Sequence, residues 1–168
     1  MPPTEDNVSD DIFDQDRLLQ VYVKMPDKDF KQLRSEGRSL DMTLNTCPST
    51  DFEYNDFKAL VNIDGEELEN VEIRKKGYLG SLSRIRPSLK LNFDTFQEGR
   101  TFKSLKRMTL NNDRQDPSNT HQCMAYDLFR AAGLVAPRCN LVKVVINNEE
   151  MGVYSHVESI KKPFLERK

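Results

Sequence analysis

Histidine is scarce in this sequence, with only His121 and His156 among 168 residues, and that excludes a multi-histidine metal centre. Cysteine is nearly as rare. Cys47, Cys123 and Cys139 form an odd set with no Cys-x-x-Cys spacing, which argues against a zinc knuckle and against a full disulfide framework. Free or buried thiols are the first expectation. A single bridge from Cys123 to Cys139 is the alternative if the protein is secreted. No apolar run approaches the roughly 20 residues that cross a bilayer. The opening stretch MPPTEDNVSDD also lacks the basic and apolar segments of a signal peptide. The sequence therefore reads as a soluble chain with no transmembrane segment.

What the chain does carry is charge, at 31% Asp, Glu, Lys and Arg against 37% apolar residues. That balance fits one domain with a large polar surface or tail, long enough to bury a sizeable core. The net charge of −2 hides an asymmetry. Residues 1–73 hold 18 acids and 7 bases, whereas residues 74–107 hold 2 acids and 10 bases. The basic block reads either as an anion site for phosphates or an acidic peptide, or as a solvated sheet face that balances the acidic first half. Nucleic acid is not the expected partner: Phe93, one of the aromatics among these cations, falls in the core by alternation, and the overall charge is negative. Residues 1–16 hold six acids, no bases and the pair Pro2-Pro3, the composition of a disordered acidic tail. The folded domain is expected over 17–168.

Alternation of Leu19, Val21 and Val23 predicts a strand over 18–25. Pro26, Asp27 and Asp29 open a short helix with Phe30 and Leu33 inward, and Gly37 stops it. Residues 38–56, rich in Asp, Asn, Thr and Ser, read as a loop. Phe57, Ala59, Val61 and Ile63 then alternate up to Asp64-Gly65, a strong hairpin turn leading to a strand over 71–76. In the next strand, over 88–93, Leu89, Leu91 and Phe93 face one way and Ser88, Lys90 and Asn92 the other. A strand over 105–110 follows. Asp116-Pro117-Ser118 marks entry to a helix over 119–132 that stops at Gly133, with Met124, Ala125, Leu128, Phe129 and Ala132 as its core-facing stripe. Strands over 141–146 and 151–157, joined by a polar turn, complete the pattern. Six or seven strands and two main helices, arranged in blocks, give an α+β class with a mainly antiparallel sheet.

Several segments recur in a specific order: Arg86-Pro87-Ser88-Leu89-Lys90-Leu91-Asn92-Phe93, Leu110-Asn111-Asn112, Asp116-Pro117-Ser118, the run from Ala125 through Gly133, Ala136-Pro137-Arg138, and Gly152-Val153-Tyr154-Ser155-His156-Val157-Glu158. This set resembles the spore coat protein H (CotH) family over roughly residues 12–166. The resemblance implies an atypical protein kinase, secreted, at the cell surface or spore-associated, that uses ATP and Mg or another divalent metal to phosphorylate serine on partner proteins. It further implies that residues 17–168 form the small, nucleotide-binding lobe, with catalytic and metal-binding acids beyond Lys168, so that this chain alone is expected to be inactive. Fungal members act as surface adhesins, and a non-catalytic adhesin or spore-coat scaffold that binds a protein partner is the alternative.

Carried onto this sequence, the strand over 71–76 and the loop over 77–83 look like the segment that covers nucleotide phosphates. Gly77-Tyr78-Leu79-Gly80-Ser81 departs from a Gly-x-Gly-x-x-Gly loop, and on its residues alone it reads as a plain strand connection. Lys90 takes the strand-lysine position that meets phosphate oxygens, with Arg74 and Lys76, on one strand face, as further nucleotide-binding cations. The alternative for Lys90 is an exposed strand lysine. The following helix offers no glutamate to pair with it, only Gln122 and Asp127. The resemblance also implies nucleotide contacts for Tyr154 and Glu158, where an adenine would stack or hydrogen-bond; His156 between them reads as a packed or solvent-facing strand histidine. Asn111, Asn112 and Asp116 read as turn and helix-entry residues. No residue is assigned a catalytic or metal-binding role.

Overall fold

The computed structural model describes residues 11–37, 52–78 and 80–166. Cys47, residues 1–10 of the expected tail and residues 38–51 of the expected loop lie outside the described residues. Among the described residues seven strands are present: β1 (Leu19–Lys24), β2 (Asp56–Ile63), β3 (Glu66–Lys76), β4 (Ser88–Asn92), β5 (Arg107–Asn111), β6 (Cys139–Ile146) and β7 (Glu149–Val157). The helices are α1 (Asp27–Ser35), α2 (His121–Ala131) and the five-residue α3 (Lys162–Glu166).

The strands close on themselves as a barrel in the order β1-β2-β3-β4-β5-β7-β6. All pairings are antiparallel except the last, where β1 lies parallel to β6 with Leu19 opposite Val142 and Val23 opposite Ile146. This overturns the expected α+β class and its kinase-small-lobe form. Closure removes both sheet edges, and helices of 9 and 11 residues are too short to form a covering layer. Among the described residues, most of the regular structure is strand.

Each predicted strand has its counterpart. β3 starts earlier than expected because Asp64 and Gly65, both at positive φ (48° and 92°), make a two-residue turn that sets Ile63 directly opposite Glu66. Inward positions fill the barrel: Val21, Val61, Ile63, Val71, Ile73, Leu89, Leu91, Met108, Leu110, Val142 and Val144 are fully buried. Burial of this apolar area is the main stabilising term, with each large side chain contributing on the order of 2 kcal/mol.

Two plugs seal the barrel. At the end where β1 and β3 finish, α1 contributes Phe30 and Leu33 to the core. There the buried Lys75 donates to the carbonyls of Arg34, at 2.8 Å, and Glu36, satisfying acceptors that a helix C-terminus leaves open. At the opposite end sits a 3-10 turn, Asp11–Phe13, with Ile12 and Phe13 buried. Phe13 stacks on His156 with ring centres 4.5 Å apart and planes 9° apart, and the Arg138 guanidinium lies 4.6 Å from the Phe13 centre. The acidic stretch is thus anchored at Ile12 and Phe13, while its acids among the described residues stay exposed.

Helix α2 lies outside the barrel, over the outward side chains of β6 and β7. Its expected core stripe is not core: Met124, Leu128 and Phe129 are 62%, 67% and 46% exposed. The face that packs is the one bearing Cys123 and Tyr126, set against Cys139, Leu141 and Val157. Cys123 and Cys139 are joined in a disulfide. This replaces the expectation of free thiols for that pair.

Candidate functional site

Strand alternation turns Arg74 and Lys76 of β3, Lys90 of β4, and Arg107, Thr109 and Asn111 of β5 away from the barrel interior. The register sets Arg74 opposite Lys90 and Lys90 opposite Thr109. Lys76, Lys90 and Arg107 therefore run diagonally across three strands, each step about 7–8 Å. The diagonal leads from one end of the barrel toward the other.

Many cations among the described residues are already spent on partners. Arg74 grips Asp56 with two nitrogens, one at 2.8 Å from Oδ2, and Glu72 is 3.9 Å away. Arg34, Lys103, Arg138 and Lys143 also hold carboxylates. Lys90, Arg107 and Lys161 differ: among the described residues none of them makes a side-chain hydrogen bond or ion pair. Burial pushes the Lys90 ammonium below the usual lysine range, and the charges of Arg107, Arg74 and Lys161 push it further, with Glu72 opposing; the Lys90 charge in turn helps to hold Asp56 low. Lys76 is lowered in the same way, first by burial and then by Lys90. Like charges crowded on one partly buried face, more numerous than the acids Glu72 and Asp56 that meet them, form a latent anion site.

Beside the upper end of this diagonal is a cleft of about 250 Å³, lined by Lys76, Gly80, Ser81, Asn111, Asn112 and Gln122 among others. Lys76 Nζ donates to Asn111 Oδ1 at 2.6 Å, and Asn111 Nδ2 donates to Gln122 Oε1 at 2.7 Å. Asn112 Nδ2 donates to the carbonyls of Ser81, at 3.0 Å, and Arg86, pinning the loop over the cleft. Gly80 has φ +84°, and a Cβ there would overlap the Gln115 amide. The left-handed φ is what favours glycine here, since the Gln115 side chain could swing aside from a Cβ. Two acids also border the cleft, and both are engaged: Asp113 accepts from the Ser155 amide and hydroxyl at 2.8 Å each, and Asp116 accepts from Ser118 and His121.

Of the residues expected at a nucleotide, the structure brings together Lys76 and Lys90, with Arg74 adjacent but ion-paired. Tyr154 and Glu158 are elsewhere. Tyr154 is fully buried inside the barrel, its hydroxyl pushed up to about 12 by burial, and no base could stack on it. Glu158 is buried at the opposite end, 2.8 Å from Arg138. Arg107, Lys161 and the Asn111–Gln122 pair were not expected at the site. Arg107 was accessible to reasoning, since it shares the outward phase of Thr109 and Asn111; Lys161, beyond the last strand, gave no such signal.

A family model described as CotH kinase protein matches residues 73–168, more than half of the chain. The chain belongs to the CotH kinase protein family. Inner spore coat protein H of Bacillus subtilis (strain 168) is 25% identical over 111 residues, a stretch covering 66% of this chain and 29% of that relative. The matched stretch thus spans less than a third of that curated relative. Every residue of the cation diagonal and the cleft lies inside the segment matched to the CotH family. β1, β2 and most of β3, which close the barrel, lie before it.

The fit of a CotH-type nucleotide and metal can be tested on these side chains. Clustered cations and a pinned small-residue loop suit phosphate oxygens. A divalent metal finds no such match: among the described residues no group of three or more His, Cys, Asp and Glu is placed to hold one. No step is derived through a metal. Among the described residues, no helix is long and apolar enough to cross a membrane.

Proposed function

We propose that this chain supplies the phosphate-holding part of a CotH-family kinase, binding the polyphosphate of ATP along Lys76, Lys90, Arg107 and Lys161. The observation that carries the reading is the outward diagonal of mutually repelling cations that leads to the cleft, in which Lys90 and Arg107 make no side-chain hydrogen bond or ion pair among the described residues. A bound polyphosphate would remove that repulsion, and desolvated lysines make charge-assisted bonds roughly twice as strong as neutral ones. The nucleotide supplies the transferable phosphoryl group. This chain's residues position and neutralise it, while catalytic and metal-holding acids come from elsewhere in a whole kinase acting on serine of partner proteins. Phosphoryl transfer by these 168 residues alone is expected to be undetectable.

Calorimetry with inorganic tripolyphosphate, ADP and ATP, with and without Mg, tests the reading. Saturable binding that Lys90→Ala weakens about ten-fold supports it; absence of binding to all three at low salt refutes it. A second reading, an adhesin or spore-coat scaffold module, is favoured by the exposed Met124, Leu128 and Phe129 stripe, which offers a protein partner an apolar surface. For either reading we propose a secreted, cell-surface or spore location. The name of the Bacillus relative supports this, and so does the Cys123–Cys139 bond, since such bonds persist in oxidising compartments.

A further inference from the structure

Helix α2 lacks the packing that holds most surface helices in place. Cys123 is its only buried side chain, and its apolar stripe points outward. The contact beneath it is small, made of Cys123, Cys139 and Val157 with Tyr126 and Leu141 at the edge. What fixes its first turn to β6 is covalent. Gln122 sits next to that bond in the chain, and its Oε1 accepts from Asn111, whose Oδ1 in turn accepts from Lys76. The Gln122 Nε2 donates to the Tyr126 hydroxyl at 3.2 Å, one turn along, so the amide is oriented with its oxygen toward Asn111. A two-bond relay of amides therefore connects the disulfide-anchored turn to a cleft lysine.

We infer that the Cys123–Cys139 bond is a positioning element of the anion site. It holds Gln122 against Asn111 and thereby Lys76 toward the cleft, and breaking it loosens α2 and disperses the site while the barrel stays closed. The inference rests on the anion-binding reading above. The barrel does not need the bond: closure runs through β1 and β6, and the main core contains neither cysteine. Reduction by a dithiol is balanced. The dithiol gives up two electrons and two protons and closes to a cyclic disulfide, the Cys123–Cys139 bond breaks, and two thiols form. Anion affinity thereby follows the redox state of the surroundings, high where disulfides persist and low where thiols prevail.

Oxidised protein, dithiothreitol-reduced protein and the Cys123→Ala/Cys139→Ala variant are to be compared by segment-resolved hydrogen exchange, by the amine-labelling rate of Lys76, and by tripolyphosphate calorimetry. Breaking the bond is expected to remove exchange protection over residues 119–132 but not in the strands. It is also expected to speed Lys76 labelling about five-fold and weaken tripolyphosphate about ten-fold, as loss of one or two hydrogen bonds to a charged group would. Gln122→Ala, which keeps the bond, is expected to reproduce the labelling and the weaker binding while leaving α2 protected. Unchanged Lys76 labelling after confirmed reduction overturns the inference. So does loss of protection that spreads through the strands, or a Gln122→Ala protein that labels at the wild-type rate. If oxidised protein binds no tripolyphosphate, the anion-site reading fails, and Lys76 labelling and exchange still decide whether the bond positions the lysine.

Discussion

Lowering the pH from 7 to 5 is expected to destabilise the barrel through His156. The ring is fully buried between strands, Nδ1 lies 2.9 Å from Asn140 Oδ1, one face is covered by Phe13, and Nε2 has no hydrogen-bond partner among the described residues. Burial, helped by the Arg138 charge, lowers its pKa from 6.5 to about 3. The unfolded chain takes up this proton first as pH falls, so the stability tied to a neutral ring is complete above the unfolded pKa and is lost between it and the folded value. The full gap is worth about 5 kcal/mol, of which about 2 kcal/mol disappears between pH 7 and 5. The carboxylates held low by ion pairs, Asp56 by Arg74 and Asp11 by Lys103, lose their contribution at lower pH, while Asp113, raised by burial, acts in the opposite sense and cancels in a comparison of two proteins that both carry it. Urea unfolding followed by circular dichroism measures the loss in wild type and in His156→Phe, which cannot titrate. Wild type is expected to lose about 2 kcal/mol more than the variant over this interval. Parallel pH profiles, or an imidazole that titrates near 6.5 by NMR, would refute the reasoning.

Three further outcomes follow from the packing. Phe13→Ala removes the plug between His156 and Arg138 and is expected to cost about 3–5 kcal/mol in the same unfolding assay, whereas a truly disordered tail would give no change. Leu128→Glu on the exposed face of α2 is expected to stay within about 0.5 kcal/mol of wild type, while Leu110→Ala in the barrel is expected to cost about 2–5 kcal/mol; equal losses would contradict the outward stripe. Gly80→Ala forces a left-handed residue against Gln115 and is expected to cost about 1–2 kcal/mol from strain alone. It should also weaken tripolyphosphate in calorimetry, and an unchanged affinity would detach this loop from the cleft.

The strands were legible because each carries its own period: Leu19, Val21 and Val23, or Leu89, Leu91 and Phe93, need no distant information to reveal an inward face. Closure was not legible. The pairing of Val21 with Val144 joins residues far apart in sequence, and nothing in either strand's local pattern names the other. The α2 stripe shows the converse limit. Helical spacing identified an apolar face correctly but could not say what covers it, and the covalent anchor at Cys123 lets the helix present that face to solvent. Residues 11–16 misled by averaging, since the acids around Ile12 and Phe13 swamp two side chains that bury themselves. At the site, alternation correctly turned Lys90 outward. It failed on β7 because Tyr154, Ser155, His156 and Val157 are all buried, one face in the barrel and the other beneath α2 and its entry loop, so the strand shows no polar side to read.

The parallel seam between β1 and β6 also sets a timetable for synthesis. β1 leaves the ribosome early and finds β2 soon after, but its other edge waits for a partner about 120 residues downstream, some 6–25 s at ordinary translation rates. Throughout that interval the growing chain is an open, apolar sheet with a free edge, the form most prone to pairing with a neighbour. The finished barrel has no such edge. Its main exposure to aggregation is therefore a matter of time before β6 arrives, and slowing translation through residues 139–146 should raise the insoluble fraction without altering the stability of the folded protein.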